Sequence, residues 1–103
     1  MAETADLTVR DNPAELRYEL RHGDTLVGEI RYRVEPGIVV LVHTEVSRAS
    51  EGQGLGARLV AGALDDIRAR GLRVVPFCPF VLKYIRRHPD YADLAVRDPA
   101  IPE

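Results

Sequence analysis

Cysteine, tryptophan, long apolar runs and excess positive charge are what this 103-residue chain has least of. A single cysteine, Cys78, excludes an intrachain disulfide framework, and His22, His43 and His88 have no metal-ligand spacing to it or to one another. Such a chain suits a reducing compartment, so a cytoplasmic location is expected. The longest aliphatic run, Ile38 to Val42, falls far short of the ~20 residues that a membrane-spanning helix needs. Met1 to Pro13 has no apolar run flanked by positive charge, so nothing resembles a signal peptide. A net charge of −2 and a pI near 5.9 lack the basic footprint of a dedicated nucleic-acid binder. Neither nucleic acid nor a membrane is therefore expected as a partner, and oligomeric state is left open.

A hydrophobic fraction of 46% and a charged fraction of 29% are those of a globular chain. A chain this long supports one core, burying roughly two-thirds of the surface its unfolded form exposes. A single domain over residues 1–103 is expected, ordered over about 7–94 and followed by a tail, 95–103. Glu15 to Arg21 alternates charged and apolar residues, the period of a strand with one wet face. After the His22-Gly23-Asp24 turn, Leu26, Gly28, Ile30, Tyr32 and Val34 alternate with Glu29, Arg31, Arg33 and Glu35, which predicts a hairpin. Pro36-Gly37 is a second turn, and the apolar run Ile38 to Val42 reads as a central strand covered on both faces. Leu7 to Arg10 adds an edge strand before the turn Asp11-Asn12-Pro13, completing an antiparallel meander.

From Gln53 the period changes. Leu55, Leu59, Val60, Ala63, Leu64 and Ile67 recur at helical spacing, so one helix packs on the sheet, with Gly71 as its C-cap. Leu72 to Val75 is a short strand stopped by Pro76, giving a βαβ unit with Ile38 to Val46. Pro79 opens a second helix that Pro89 closes after His88, and the chain from Asp90 onward is polar, with Asp98 to Glu103 expected to fray.

The chemistry concentrates at Glu51-Gly52-Gln53-Gly54-Leu55-Gly56-Ala57, between a buried strand and an amphipathic helix. Glycines there let backbone amides approach a bound group closely, and the amides of a first helical turn have no intrahelical partner. A phosphate or pyrophosphate satisfies several of them together, each charged hydrogen bond contributing about 1.5–3 kcal/mol. A Walker loop is disfavoured because Ala57-Arg58, not Lys-Ser/Thr, follows Gly56. A dinucleotide fingerprint through Gly52, Gly54 and Ala57 lacks its context: Ser47 to Glu51 intervene after the strand, and Val75 is followed by Pro76-Phe77-Cys78 rather than an acid. Ser50-x-x-Gln53 also spells a helix capping box, which suits Glu51 near the positive end of the helix dipole.

The loop resembles the acyl-coenzyme A loop of the GNAT acetyltransferase superfamily, written Gln/Arg-x-x-Gly-x-Gly/Ala; Glu51 to Gly56 match all but the first position. More narrowly, His43-Thr44-Glu45-Val46, Ala63-Leu64-Asp65, and Val75-Pro76-Phe77-Cys78-Pro79-Phe80-Val81 through Tyr84 and Arg87-His88-Pro89-Asp90-Tyr91 resemble its short, single-domain YjdJ-type subfamily. The resemblance covers roughly residues 7 to 94. It implies an α+β fold: a mostly antiparallel twisted sheet of about five strands, a βαβ coenzyme A-binding unit and a short C-terminal helix, without the superfamily's first two helices. It implies an N-acetyltransferase that uses acetyl-CoA, with coenzyme contacts from Thr44, Val46, Gln53, Gly54, Leu55, Gly56, Ala57 and Arg58 and from Cys78 and Tyr84.

Acetyl transfer to an amine needs a base, donors for the developing oxyanion and a proton for the departing thiolate. His43 and Glu45, on one face of the strand that the resemblance places beside the pantetheine, are the candidate bases. Their alternatives are a hydrogen-bonded sheet histidine and a solvated strand-end acid. Tyr84 is the candidate thiolate acid, against an ordinary core-covering helix residue. Cys78, close to the coenzyme sulfur by the same resemblance, is a candidate acetyl carrier, against a small buried hydrophobe. Lys83, Arg86 and Arg87 form a basic stripe at i, i+3 and i+4 that reaches toward the coenzyme's ribose phosphate or simply complements a helix C-terminus. The expected activity is direct attack by an unidentified primary amine, on a small molecule or a protein. The alternatives are a coenzyme A-binding module acting as an acyl-CoA sensor or interaction protein, and a nucleotide-binding regulator.

Overall fold

The computed structural model describes residues 7–48 and 54–96. Five strands, β1 (Leu7–Asn12), β2 (Arg17–His22), β3 (Thr25–Glu35), β4 (Ile38–Val46) and β5 (Arg73–Pro76), form one sheet in chain order. Three antiparallel pairings join β1 to β4, and β5 pairs parallel to β4. The crossover between β4 and β5 carries the helix α1 (Leu55–Ala69), and α2 (Pro79–Arg87) follows β5. The sheet is the α+β, mostly antiparallel arrangement that the resemblance implies.

Amphipathic spacing places α1 on one face of this sheet. Its buried residues are Leu55, Leu59, Val60, Ala63, Leu64 and Ile67, the six that its sequence period selects. They meet Tyr18 and Leu20 of β2, Ile30 and Tyr32 of β3, and Val39 and Leu41 of β4, while α2 adds Val81 and Ile85 to the same core. Chain reversal after α1 follows the expected chemistry: Gly71, at φ +73°, donates its N–H to the Arg68 carbonyl, and Leu72 donates to Ile67.

Four local expectations are corrected. The β2 strand begins at Arg17, because Pro13–Glu15 form a 3-10 turn that Leu16 closes at φ 54°. Glu19, assigned by alternation to a wet face, is 2% exposed: Asn12, Arg17 and Arg21 donate to its carboxylate at 2.8–2.9 Å and cover it. Residues after His88 are not merely a polar tail, since Pro89–Leu94 form a 3-10 helix, Leu94 is buried, and the Val96 N–H donates to Val74 beside β5. The first turn of α1 starts from Gly54, in a left-handed conformation at φ 71°, with no side-chain cap among the described residues. Ser50, Glu51 and Gln53 of the spelled capping box, and the tail Asp98–Glu103, lie outside the described residues.

Two bulges re-aim the sheet. Pairing of β3 with β4 shifts between Arg31 and Tyr32, leaving Val42 as an extra residue in β4. Val39 and Leu41 face α1 before the bulge; Thr44 and Val46 face it after. His43 and Glu45 consequently lie on the outer face of the sheet, opposite Arg31 and Glu29 of β3.

Candidate functional site

The sheet opens where β5 stops. Parallel pairing runs from Ile38↔Arg73 to Leu41↔Pro76, and its last backbone bond is from the Cys78 N–H to the Leu41 carbonyl at 2.9 Å. Pro76 has no N–H to extend the ladder, and Phe77 turns its own N–H back to the Val75 carbonyl at 2.9 Å. From His43 to Val46, β4 keeps its partner β3 but has none in β5, which leaves backbone polar groups facing the gap.

A groove of about 450 Å³ runs from the end of β4 along the start of α1 and the exposed side of α2. One wall is Gly54, Leu55, Gly56 and Ala57, the first turn of α1, and Val46 closes the sheet end. The other wall is a stripe of α2, in which Phe80, Tyr84 and His88 recur every four residues with Lys83 and Arg87 beside them. Among the described residues neither Lys83 nor Arg87 takes part in an ion pair. Apolar walls, two cations and an uncapped helix start suit a ligand with an apolar arm and phosphate groups.

Inside the groove, Tyr84 and His88 stack with ring centroids 3.9 Å apart, and the His88 Nδ1–H donates to the Tyr84 carbonyl at 2.9 Å. Burial, aided by the charge of Asp65, raises the Tyr84 phenol above its ordinary pKa, so it stays protonated at neutral pH. Cys78, 4% exposed at the start of α2, has its Sγ 3.3 Å from the Thr44 Oγ1.

The groove thus gathers Val46, Gly54, Leu55, Gly56, Ala57, Lys83, Tyr84 and Arg87 from the residues singled out in the sequence. Thr44 and Cys78 touch each other beneath the opening of the sheet, without lining the groove. Arg58 and Arg86 are exposed outside it, and Gln53 lies outside the described residues. His43 and Glu45 are not brought to it: they are bonded to one another at 3.1 Å on the outer face, with side chains 57% and 66% exposed. Phe80 and His88 are the lining residues that sequence reasoning missed. Their spacing from Tyr84 carries the signal, because residues 80, 84 and 88 share one helical face.

A family model of GCN5-related N-acetyltransferases matches residues 17–94. The chain belongs to the GCN5-related N-acetyltransferase family. Its fold is also that of a GCN5-like protein from Staphylococcus aureus known from a solution NMR structure: the TM-score is 0.67 at 23% identity, over 91% of this chain and 92% of that one. Among curated proteins nothing matches. Family membership makes acyl transfer the general chemistry of the chain. No helix of the described residues is long and apolar enough to cross a membrane, and no group of three or more potential metal ligands occurs among them.

Proposed function

We propose that this protein is an acetyl-CoA-dependent N-acetyltransferase acting on a primary amine, with the groove between α1 and α2 as its coenzyme site. The observation that carries this reading is the pairing, across one groove, of the uncapped turn Gly54–Ala57 with Lys83 and Arg87. Amides at the first turn and two cations opposite them suit a diphosphate, and Val46, Leu55 and Phe80 offer apolar surface to a pantetheine arm. Acetyl-CoA supplies the activated acetyl thioester for direct attack by the amine.

The chain's own residues then divide the remaining work. Backbone groups of Thr44 to Val46, unpaired toward β5, are placed to orient a carbonyl and amide arm. The Tyr84 phenol, kept protonated at neutral pH, carries the proton that a departing thiolate would take. Cys78, the chain's one thiol, is buried 3.3 Å from Thr44 and does not line the groove, so direct attack rather than an acetyl-cysteine is the proposed route. An acceptor arriving on the outer face of β4 meets His43 and Glu45, whose mutual hydrogen bond couples two groups able to take the amine proton directly or through water.

The alternative, a coenzyme A-binding module acting as a sensor or interaction protein, is favoured by one observation: both candidate bases face away from the groove. Calorimetric titration with coenzyme A, acetyl-CoA and ATP, followed by thiol release across an amine panel, separates the readings. Binding and turnover support the enzyme, binding without turnover supports the module, and preference for ATP defeats both.

A further inference from the structure

The glycine at position 56 has a neighbour that the loop motif does not foresee. A Cβ built on Gly56 would stand 2.8 Å from Cζ of Phe80, closer than real Cβ atoms come, and a tight 3.2 Å from its Cε2. Phe80 belongs to the first turn of α2 and Gly56 to the first turn of α1, so the ring spans the two walls of the groove and rests in the hollow that the missing Cβ leaves. The ring is nevertheless 45% exposed, a large apolar surface turned toward the groove rather than sealed in the core. It stands against the Gly54–Ala57 turn, two residues along the chain from Cys78.

We infer that Gly56 and Phe80 act as a pair: the glycine is there to seat the ring, and the seated ring sets the width of the groove and positions the pantetheine arm of the coenzyme. This deepens the coenzyme A reading and rests on it. The usual reason for a glycine in such a turn is close approach of a phosphate to the backbone. Here the hollow is already filled by a side chain of the same protein. An alanine at 56 would push the ring, the far end of a rotatable side chain, out of its seat and into the space that the arm needs.

The chain has two phenylalanines, Phe77 and Phe80, and only Phe80 lines the groove, so labelling with 4-fluorophenylalanine gives a probe and an internal control. Phe77→Leu assigns the two fluorine resonances. The Phe80 resonance is expected to shift in Gly56→Ala without ligand, and to shift saturably when coenzyme A is added to the unmutated protein, while the Phe77 resonance moves little. By calorimetry, Gly56→Ala should weaken coenzyme A binding roughly tenfold. In a Phe80→Leu background the same substitution should have little further effect, since the ring it displaces is gone. Equal losses from Gly56→Ala with and without Phe80→Leu would assign the glycine to phosphate approach alone and overturn the pairing. Calorimetric binding with a stationary Phe80 resonance would overturn it too, leaving the coenzyme reading intact. Absence of any calorimetric binding to the unmutated protein would defeat the coenzyme reading itself, and the pairing with it.

Discussion

At its C-terminal end α1 is tied to the sheet by polar side chains that leave one another nothing unsatisfied. The Tyr18 hydroxyl donates to Asp66 at 2.6 Å, that of Tyr32 donates to Asp11 at 2.6 Å, and Arg70 bridges the two carboxylates at 3.0 and 3.1 Å. Burial and the neighbouring carboxylates raise both phenols well above the ordinary tyrosine value, so they remain donors at any working pH. At its N-terminal end the same helix starts from Gly54 with no side-chain cap and borders the groove. Among the described residues no buried side-chain polar atom lacks a partner, and the groove is bordered by the helix start and the exposed cations Lys83 and Arg87. The contrast separates the two roles: the closed end anchors the helix, and the open end carries the donors that the proposed coenzyme would take.

The comparison is broken most severely by acid. Glu19, whose three donors tie β1 and β2 together beside the closed end, is held at about 2, below its ordinary 4.5, by hydrogen bonds from Asn12, Arg21 and Arg17 that outweigh its burial. A lowered carboxyl value contributes stability that is complete above about 4.5 and is lost as the pH falls toward 2. Denaturant midpoints should therefore drop through that window, and Glu19→Gln should remove much of the slope. Next comes Asp66→Ala, which leaves the buried Tyr18 hydroxyl without its acceptor. About 2–3 kcal/mol of stability should be lost in urea titrations, with coenzyme A affinity of the folded protein changing less than about twofold.

At the open end the effects fall on function and spare stability. Tyr84→Phe should lower kcat about a hundredfold with little change in KM for acetyl-CoA, because only the proton donor is removed. An unchanged kcat would remove Tyr84 from the proposed chemistry. Lys83→Ala and Arg87→Ala should each weaken coenzyme A about tenfold by calorimetry, more at low salt than at high, and shift the denaturation midpoint by less than about 0.5 kcal/mol. Arg86→Ala, one position away and outside the groove, serves as the control with the smallest effect.

Much of the fold was legible because its determinants are local. Alternation names the buried Gly28, Ile30 and Tyr32, though Leu26 and Val34 at the ends of the same run are exposed; the helical period from Leu55 to Ile67 names a buried face, and Gly71, Pro76, Pro79 and Pro89 mark ends by their own backbone limits. Lys83, Arg87 and the turn Gly54–Ala57 were singled out for the same reason, and the fold brings them to one groove. Glu19 was not: alternation assigned it to solvent, and only the cross-strand neighbours Asn12 and Arg17 and nearby Arg21 buried it. The orientation of His43 and Glu45 was equally hidden, since one unpaired residue, Val42, reverses which side chains face α1.

From its amino-acid order alone, then, this chain dictates five strands, two helices, their buried stripes and a glycine-rich helix start, because each depends on residues a few positions apart. What only the assembled molecule decides is which faces meet: the bulge that turns His43 and Glu45 outward, the early end of β5 beside β4, and the Phe80 ring over Gly56. Those features join segments distant in the chain. Their geometry is set by packing and by competition for backbone hydrogen bonds, which no local period encodes.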